Sequence, residues 1–419
     1  MKFIADFHIH SKYSRATSRE MDVEHLLQWA KIKGIKLLGT GDFTHPQWFG
    51  ELKTKLESAE PGLLKLKNSN AETRFILTAE ISCIYSKNSL VRKIHLLVFA
   101  PSLEIVEKIN AHLSLVGNLK SDGRPILGLD AKELVKIILN ICPDCFIVPA
   151  HIWTPWFSLF GSRSGFDSLE ECFEQYSPYI FAAETGLSSD PAMNWRLSAL
   201  DKIALISNSD SHSPQNIGRE ANVFDIPLDY FALKNALQQK DARQFLYTIE
   251  FFPEEGKYHF DGHRLCNVSL APEQTKKYQG ICPVCRRPLT IGVLSRVEQL
   301  ADRAAGFCPP RAIPYKNLIP LKEVIADALA VSVLHKEVSK YYNELVNNFG
   351  SEFAVLLDVP VEDLQKNSLP SIAQSIAAMR EGKVSVVPGY DGVYGKISIA
   401  QHLSASSPQN DFPCQGSLF

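Results

Sequence analysis

A chain of 419 residues is longer than one ordinary hydrophobic core encloses, so we expect about two or three domains. Its 45% hydrophobic and 21% charged residues are typical of a globular protein, and no apolar run approaches the roughly 18 residues of a membrane span. The net charge of −2 excludes a chain that is basic throughout. Any affinity for nucleic acid must therefore come from a local patch.

The N-terminal segment FIADFHIH contains Asp6 and His8 at positions where a signal peptide needs an unbroken apolar stretch. We therefore expect a cytoplasmic protein with no membrane contact. In that compartment the nine cysteines stay reduced, and close pairs favour metal binding over disulfides. Cys142 and Cys145 are an exception, because no second pair lies near them in the sequence, and we expect ordinary buried or half-buried thiols there.

Short apolar runs recur at fairly even spacing through the first 250 residues. They are KFIADF, IKLLGTG, RFILTAE, KIHLLVFA, CFIVPAH, YIFAAET and IALISNS. Stretches such as MDVEHLLQWAKIKG and LDAKELVKIILNI lie between them and place apolar residues at helical spacing. Strands that alternate with helices predict parallel pairing and a closed or nearly closed α/β barrel.

Histidine and acidic residues follow most of these runs at the carboxyl end, where barrel enzymes gather their chemistry. They are His8, His10, Asp42, Glu80, His151, Glu184, Asp210 and His212. His95 is the exception, because it opens its run. A pair of histidines on one strand face can simply be half-buried, but so many polar side chains at equivalent positions would remain uncompensated unless they bind something. The pattern predicts a polynuclear metal centre.

The segments HIH, TGD, TAE, PAH and SDSH resemble the polymerase-and-histidinol-phosphatase (PHP) superfamily of metal-dependent phosphoesterases. The resemblance implies a distorted (β/α)7 barrel over residues 1–250 that binds two or three divalent ions, either Zn, Mn, Mg or Fe. The ligands that it implies are His8, His10, Asp42, Glu80, His95, His151, Asp210 and His212. Imidazole and carboxylate ligands suit such ions, and paired ions suit phosphodiester hydrolysis.

Three residues are the expected catalytic groups. Asp210 is expected to bridge ions or to orient the attacking water, because the short Asp-Ser-His stretch can direct both Asp210 and His212 towards one metal. The PHP pattern usually has a histidine directly after Asp42, whereas Phe43 stands there in this chain. His45 is the nearest histidine, and we take it as a candidate ligand or proton donor.

Two close pairs of metal-binding residues lie in the segment 251–315. His263 and Cys266 form H-x2-C, and Cys282 and Cys285 form C-x2-C further along the chain. Two such pairs predict a closed tetrahedral zinc site that stabilises a small module. Cys308 is an alternative to His263 as the fourth ligand.

The segment from Lys257 to Lys316 contains ten basic and four acidic residues. This excess favours nucleic-acid binding, and a solvated charged face is the alternative reading. The barrel pattern together with GHR, CPVCRRPLTIGVLSRVEQLADR and PGYDGVYGKI resembles the endonuclease Q family of DNA-repair enzymes over almost the whole chain. The resemblance implies hydrolysis of the phosphodiester on the 5′ side of deaminated bases (uracil, hypoxanthine, xanthine) and abasic sites, in double-stranded or single-stranded DNA.

The segment IWTPWFSLFGSRSGFDS follows His151 directly and is rich in aromatic residues. Aromatic side chains usually belong to a core, but beside a catalytic ligand they can stack on a flipped base. The residues that we expect to contact DNA are Trp153, Trp156, Phe157, Phe160, Arg163, Glu184, Asn194, Arg286, Arg287 and Arg296.

Helical patterns such as LKEVIADALAV predict a helical DNA-contacting domain over residues 316–400. Residues 401–419 form a polar tail of low complexity. The tail ends in Gln415, Gly416, Ser417, Leu418 and Phe419, which resembles the Q-x-x-L-F motif that docks bacterial proteins on the DNA sliding clamp. We therefore expect Gln415, Leu418 and Phe419 to bind a sliding clamp.

Two other functions fit parts of the sequence. A small-molecule phosphatase of the histidinol-phosphate kind would share the barrel ligands, but it would not need a basic zinc module. A non-catalytic DNA-binding scaffold would keep the zinc module, but the nearly complete set of barrel ligands argues against it.

Overall fold

The computed structural model describes residues 1–399, and its helices and strands form a mixed α/β fold. The strands are β1 (Lys2–Asp6), β2 (Leu37–Gly39), β3 (Leu56–Ser58), β4 (Leu64–Leu66), β5 (Arg74–Lys87), β6 (Leu90–Ala100), β7 (Ile126–Leu127), β8 (Phe146–Pro149), β9 (Ala182–Glu184), β10 (Ala204–Ile206), β11 (Ala221–Asp225), β12 (Phe245–Glu250), β13 (Asp261–His263), β14 (Val268–Leu270), β15 (Tyr315–Asn317), β16 (Val384–Val387) and β17 (Lys396–Ile399). The helices are α1 (Val23–Lys33), α2 (Pro46–Lys55), α3 (Leu103–Leu113), α4 (Ala131–Ile141), α5 (Leu169–Phe173), α6 (Pro191–Asn194), α7 (Tyr230–Gln239), α8 (Pro272–Lys277), α9 (Val293–Leu300), α10 (Leu321–Leu329), α11 (Lys336–Phe349), α12 (Val361–Asn367) and α13 (Pro370–Arg380).

The main sheet combines parallel and antiparallel strands. β1, β2 and β5 are parallel neighbours, whereas β6 runs antiparallel to both β5 and β8. β9 and β10 form a separate parallel pair, and a parallel bridge between Ile9 and Ser211 joins the segments that follow β1 and β10. The expectation of parallel pairing throughout is therefore wrong for β6.

The reversed direction of β6 explains the unusual position of His95. Ser82 of β5 lies opposite His95, and Glu80 lies opposite Leu97. Because β6 is antiparallel to β5, the middle residues of the two strands lie side by side, and His95 is therefore close to Glu80. His95 lies in the middle of β6 (Leu90–Ala100), beside the carboxyl ends of the other strands, although it opens the apolar run of its segment in the sequence.

Helices α1 and α4 confirm the two helical patterns in the barrel region. The side chain of Asp22 accepts a hydrogen bond from the backbone of His25 at the start of α1, and Gly34 ends this helix with a φ of 90°. Asp130 caps α4 in the same way. Both helices bury one apolar face and leave the other to solvent, as their spacing predicts.

The chain leaves the main sheet after β12 and returns to it at β15, which pairs in parallel with β12. The excursion between them contains the β13–β14 hairpin, α8 and α9. Helices α10 to α13 follow, and the β16–β17 hairpin ends the described chain. A buried ion pair of 2.7 Å between Lys33 and Glu352 joins α1 to the segment after α11. None of the helices within residues 1–399 has both the length and the apolar character needed to cross a membrane.

Candidate active site

Four of the predicted ligands converge at the carboxyl ends of the strands. His8 and His10 follow β1 on one face of an extended segment, Glu80 lies in β5, and Asp210 follows β10. One ligating atom from each of these residues lies within 4.8 Å of the others. All four atoms belong to the nitrogen and oxygen donors that suit divalent transition metals.

Unpaired buried atoms point into this group. His8 Nε2, His10 Nε2 and Asp210 Oδ1 are buried without a hydrogen-bond partner in the described part of the chain. His10 Nε2 lies 3.3 Å from Glu80 Oε2 and 3.0 Å from Asp210 Oδ1. Buried polar atoms are rarely left unpaired, so this convergence fits a bound cation.

A second group shares Glu80 with the first. His95 Nδ1 and His151 Nε2 lie 2.6 Å and 3.0 Å from Glu80 Oε1. The two imidazole nitrogens are 3.2 Å apart. Because one carboxylate belongs to both groups, the arrangement fits two neighbouring ions that Glu80 would bridge.

The charges of the carboxylates dominate the electrostatics of this region. Burial by itself lowers the pKa of a histidine, yet Glu184, Glu80 and Asp210 raise the pKa of His8 well above its ordinary value. For His95, burial prevails and lowers the pKa to about 4. A buried site with this excess of negative charge attracts a divalent cation.

Two carboxylates contact His8 and His10 at Nδ1, the ring nitrogen that faces away from the ligand group. Asp42 Oδ1 lies 3.0 Å from His10 Nδ1, and Glu184 Oε1 lies 3.0 Å from His8 Nδ1. Both carboxylates are fully buried. Asp42 is not a member of either ligand group, so its expected role as a ligand stays a prediction, while the burial of Glu184 keeps it out of reach of a nucleobase and corrects the DNA contact expected for it. Carboxylates in such positions fix the tautomer and the orientation of metal-binding histidines.

His212 lies at the rim of the first group rather than within it. Its Nδ1 lies 2.9 Å from the backbone oxygen of Asp210, and its ring centroid lies 4.5 Å from that of His10. When Nδ1 donates to that oxygen, Nε2 is left to accept a proton or to bind a metal. His45 lies outside both groups and stacks on Tyr13 with a centroid distance of 4.5 Å.

Arg124 is a charged residue of the site that the sequence did not reveal. Its Nη1 lies 3.0 Å from Glu80 Oε2, and its side chain is 30% exposed. Arg124 lies in the loop before β7, in the segment SDGRP, which resembles no catalytic motif. It brings a permanent positive charge to the open side of the ligand groups.

The aromatic loop after His151 divides into core and surface residues. Trp153 and Phe160 are each 1% exposed and pack on each other, so they are unavailable for stacking on DNA. Trp156 is 42% exposed. The Phe157 ring lies 4.8 Å from the ring of His95. The structure thus leaves Trp156 and Phe157 near the opening of the site and corrects the expectation for the other two.

Asn194 and Arg296 also have structural roles rather than the expected DNA contacts. Asn194 is fully buried, and its Oδ1 accepts a hydrogen bond of 2.8 Å from the indole of Trp153. The Arg296 guanidinium donates to the backbone of Phe160 and to the carboxylate of Asp167. Arg163, Arg286 and Arg287 are exposed at the surface.

The excursion after β12 brings together the predicted zinc ligands. The ligating atoms of His263, Cys266, Cys282 and Cys285 lie within 4.8 Å of one another. Cys285 Sγ lies 3.4 Å from His263 Nδ1. Cys308 is outside this group, which favours His263 as the fourth member. Cys142 and Cys145 are buried thiols, as expected.

The expected clamp-binding residues Gln415, Leu418 and Phe419 lie outside the described residues. The domain boundary near residue 316 falls within β15, which belongs to the main sheet. The sequence therefore places the start of the helical region a few residues before α10 begins at Leu321.

Known proteins resemble this chain over most of its length. Residues 320–383 match a family model described as the MJ0043 C-terminal domain. The uncharacterised protein YqxK of Bacillus subtilis is 30% identical over 416 residues, which cover 94% of this chain and 99% of YqxK. The uncharacterised protein MJ0043 of Methanocaldococcus jannaschii is 34% identical over 258 residues, and the match covers 59% of this chain but only 31% of MJ0043.

Two solved structures are similar to this chain over almost all of both chains. The lesion-specific endonuclease PfuEndoQ of Pyrococcus furiosus has a TM-score of 0.86 at 32% identity, with 96% of each chain covered. An endonuclease Q in complex with a 27-mer duplex substrate, with an abasic lesion at the active site, has a TM-score of 0.83 at 32% identity. This match covers 96% of this chain and 97% of the other.

Proposed function

Since the chain belongs to the endonuclease Q family, we propose that it is a metal-dependent DNA-repair endonuclease. It hydrolyses the phosphodiester on the 5′ side of deaminated bases and abasic sites. The abasic lesion in the active site of a structure 32% identical to this chain supports the abasic substrate. Deaminated bases are the further class that the family resemblance implies.

The observation that carries this proposal is the pair of ligand groups that share Glu80. His8, His10, Glu80 and Asp210 would hold one divalent ion, and Glu80, His95 and His151 would hold the second. When bound, paired divalent ions lower the pKa of water and neutralise the charge of an in-line displacement at phosphorus. Zn, Mn and Fe are the ions that this mixture of imidazole and carboxylate favours.

The residues around these groups position the substrate and move protons. Arg124 is close enough to Glu80 to contact a phosphate oxygen that lies between the two groups. Asp210, whose Oδ1 is unpaired, orients the attacking water. His212 is exposed at 33% of its side chain and can exchange a proton with solvent through Nε2.

The zinc module and the exposed basic residues supply affinity for DNA. His263, Cys266, Cys282 and Cys285 fill all four positions of a tetrahedral site, so this zinc would be structural. Arg286 and Arg287 follow directly after Cys285 and are exposed. Their charges would contact phosphates and give binding that weakens with salt. The tail motif from Gln415 to Phe419 would add a sliding clamp as a protein partner.

Cleavage of defined duplexes tests this function. End-labelled duplexes with one uracil, one hypoxanthine, one abasic site or no lesion are incubated with Mn²⁺, with Mg²⁺ or with a chelator. We expect nicking on the 5′ side of each lesion, loss of nicking with the chelator, and an intact undamaged duplex. A small phosphate ester is included in parallel. Rapid hydrolysis of the ester without nicking would assign the chain to the phosphatases instead.

A further inference from the structure

An exposed aromatic surface extends from the rim of the active site towards the zinc module. Trp156 is 42% exposed, and its ring lies 6.0 Å from that of Tyr258. Tyr394, in the loop between β16 and β17, is 71% exposed. We call Trp156, Tyr258 and Tyr394 the stacking face.

The backbone at Gly392, in the loop that carries Tyr394, lies close to other residues of this surface. A Cβ atom at Gly392 would lie 3.9 Å from Tyr258 Oη and 3.5 Å from Arg264 Nη1. Tyr394 follows two residues later in the same loop. The loop after His151, the segment after β12 and the C-terminal hairpin therefore come close to one another here.

The loop that carries Tyr394 is held firmly by backbone hydrogen bonds. Gly389 donates to Glu254 and Gly395 donates to Glu255, with distances of 2.8 Å and 3.0 Å. A Cβ atom at Gly395 would lie 2.1 Å from the Glu254 oxygen, so only glycine allows this approach. A large aromatic ring is thus kept largely in solvent, at 71% exposure, on a loop that is anchored by its backbone.

Two cations accompany the rings. Lys257 Nζ lies 4.4 Å from the centre of the Tyr394 ring, and Arg264 lies beside Gly392. Neither side chain forms an ion pair within residues 1–399. The segment from residue 257 to residue 316 has ten basic and four acidic residues, a net charge of +6. Several of these basic residues are paired with carboxylates elsewhere, such as Arg296 with Asp167 and Arg303 with Asp201, but the positive charges of Lys257 and Arg264 complement the phosphates of a nucleic-acid strand.

The position of the surface indicates which part of a DNA strand it would bind. Trp156 precedes Phe157, whose ring lies 4.8 Å from the candidate ligand His95. A nucleotide that is turned out of the duplex leaves its neighbours without a stacking partner. Exposed aromatic rings next to cations are the elements that bind unstacked bases without regard to sequence.

We propose that the stacking face binds the unstacked bases next to the incised phosphodiester, while Lys257 and Arg264 contact the phosphates between those bases. This inference rests on the proposed function and adds a binding subsite to it. The subsite is independent of the lesion itself, so it contributes equally to substrates with uracil, hypoxanthine or an abasic site.

Fluorescence of 2-aminopurine tests the inference separately from cleavage. The probe is a strand with an abasic site and 2-aminopurine on either side, and the proteins are wild type, Tyr394→Ala, Tyr394→Phe and Tyr179→Ala. Tyr179 is the matched control, since it is a 53% exposed tyrosine in a different part of the chain. Steady-state cleavage of a duplex with the same lesion gives kcat and KM for each protein.

We expect wild type to quench the probe and Tyr394→Ala to bind it more weakly by a factor of roughly 5 to 150, the range of one lost base stack. The KM for cleavage rises by a similar factor while kcat stays the same. Tyr394→Phe, which keeps the ring, and Tyr179→Ala behave as wild type. Lys257→Ala reduces the salt dependence of binding.

Different results overturn different statements. If Tyr394→Ala quenches and binds the probe as wild type does while both proteins nick the duplex, the stacking face is wrong and the proposed function stands. If wild type neither binds the probe nor nicks any lesion duplex, the proposed function is wrong and this inference falls with it.

Discussion

The groups around Glu80 and the cluster of His263, Cys266, Cys282 and Cys285 both bring candidate metal ligands together, but their surroundings in the protein differ. His8 and His10 are fully buried, and a carboxylate contacts Nδ1 of each ring from behind. His263 and Cys266 are half-buried in a small hairpin module. The fold therefore supports the histidines of the group around Glu80 from behind, whereas we expect the hairpin module to depend on a bound metal for its shape.

The donors differ as well. Three thiols and one imidazole suit a closed zinc site, while the oxygen and nitrogen donors of the barrel leave room for water and a phosphate. The contrast leads us to expect that the fold of this chain separates catalysis from attachment to DNA. Variants that affect one of the two sites and spare the other test this comparison.

Glu80→Gln is expected to have the largest effect on cleavage. Glu80 belongs to both ligand groups, so the amide removes a shared negative charge from two ions. We expect cleavage to fall by more than about 1,000-fold, as for the loss of a catalytic group, together with loss of the barrel metals in elemental analysis. Glu171→Gln, at an exposed position, is the control. Full metal content in Glu80→Gln would contradict the shared site.

Cys282→Ser is expected to remove the structural zinc and to unfold the module. Structural zinc sites contribute apparent binding free energies of about 10–16 kcal/mol, which become folding free energy. Limited proteolysis should then cut within residues 261–300 while the barrel stays intact. Cleavage should decline through a higher KM for DNA. A variant that keeps its zinc and its protease resistance would argue that Cys282 is not a ligand.

Asp42→Asn is expected to weaken the barrel centre without destroying it. The carboxylate contacts His10 Nδ1 and accepts hydrogen bonds from Ser11 and Ser14. The loss of such a partner typically costs about 10- to 100-fold in metal affinity or activity. Titration of the apoprotein with Mn²⁺ measures this directly, with Asp363→Asn on the exposed side of α12 as the control. A loss as large as that of Glu80→Gln would instead make Asp42 a ligand.

Glu250→Gln is expected to change how stability depends on pH. Burial raises the pKa of Glu250 from 4.5 to about 8, and it raises the pKa of its neighbour Glu220 as well. The folded protein then binds more protons than the unfolded chain between pH 4.5 and 8, so stability decreases as pH rises through this window.

Urea unfolding at pH 5 and pH 8 measures this effect. We expect wild type to lose about 1–2 kcal/mol more than Glu250→Gln between the two conditions. Both carboxyl groups are fully buried, while Glu250 accepts hydrogen bonds from Thr185 and Ser207. Equal pH dependence in the two proteins would show that these carboxyls are ionised in the folded state.

Much of the barrel region was predictable from local patterns. The apolar runs became strands, the two helical patterns became α1 and α4, and the histidine and acidic residues at the run ends came together. These features depend on short-range periodicity and on the spacing between neighbours, which a sequence displays directly. The H-x2-C and C-x2-C pairs were readable for the same reason.

The errors arose where a role depends on what surrounds a side chain. Trp153 and Phe160 lie next to an active-site ligand in sequence, yet both point into the core. Asn194 and Arg296 are already hydrogen-bonded within the protein. Arg124 belongs to the site only because its loop folds back over β5. Burial and long-range contacts of this kind leave no local signal in a sequence.

The sequence by itself determined the donor chemistry of both candidate metal sites, because ligand identity and spacing are local properties of the chain. Only the tertiary structure decided which candidate donors come together and which lie behind them. The antiparallel direction of β6 placed His95 beside Glu80. The buried Asp42 contacts the Nδ1 atom of His10, on the side of the ring that faces away from the ligand group. The physical reason is that strand direction and solvent exposure are set by packing between distant segments, which no short stretch of residues encodes.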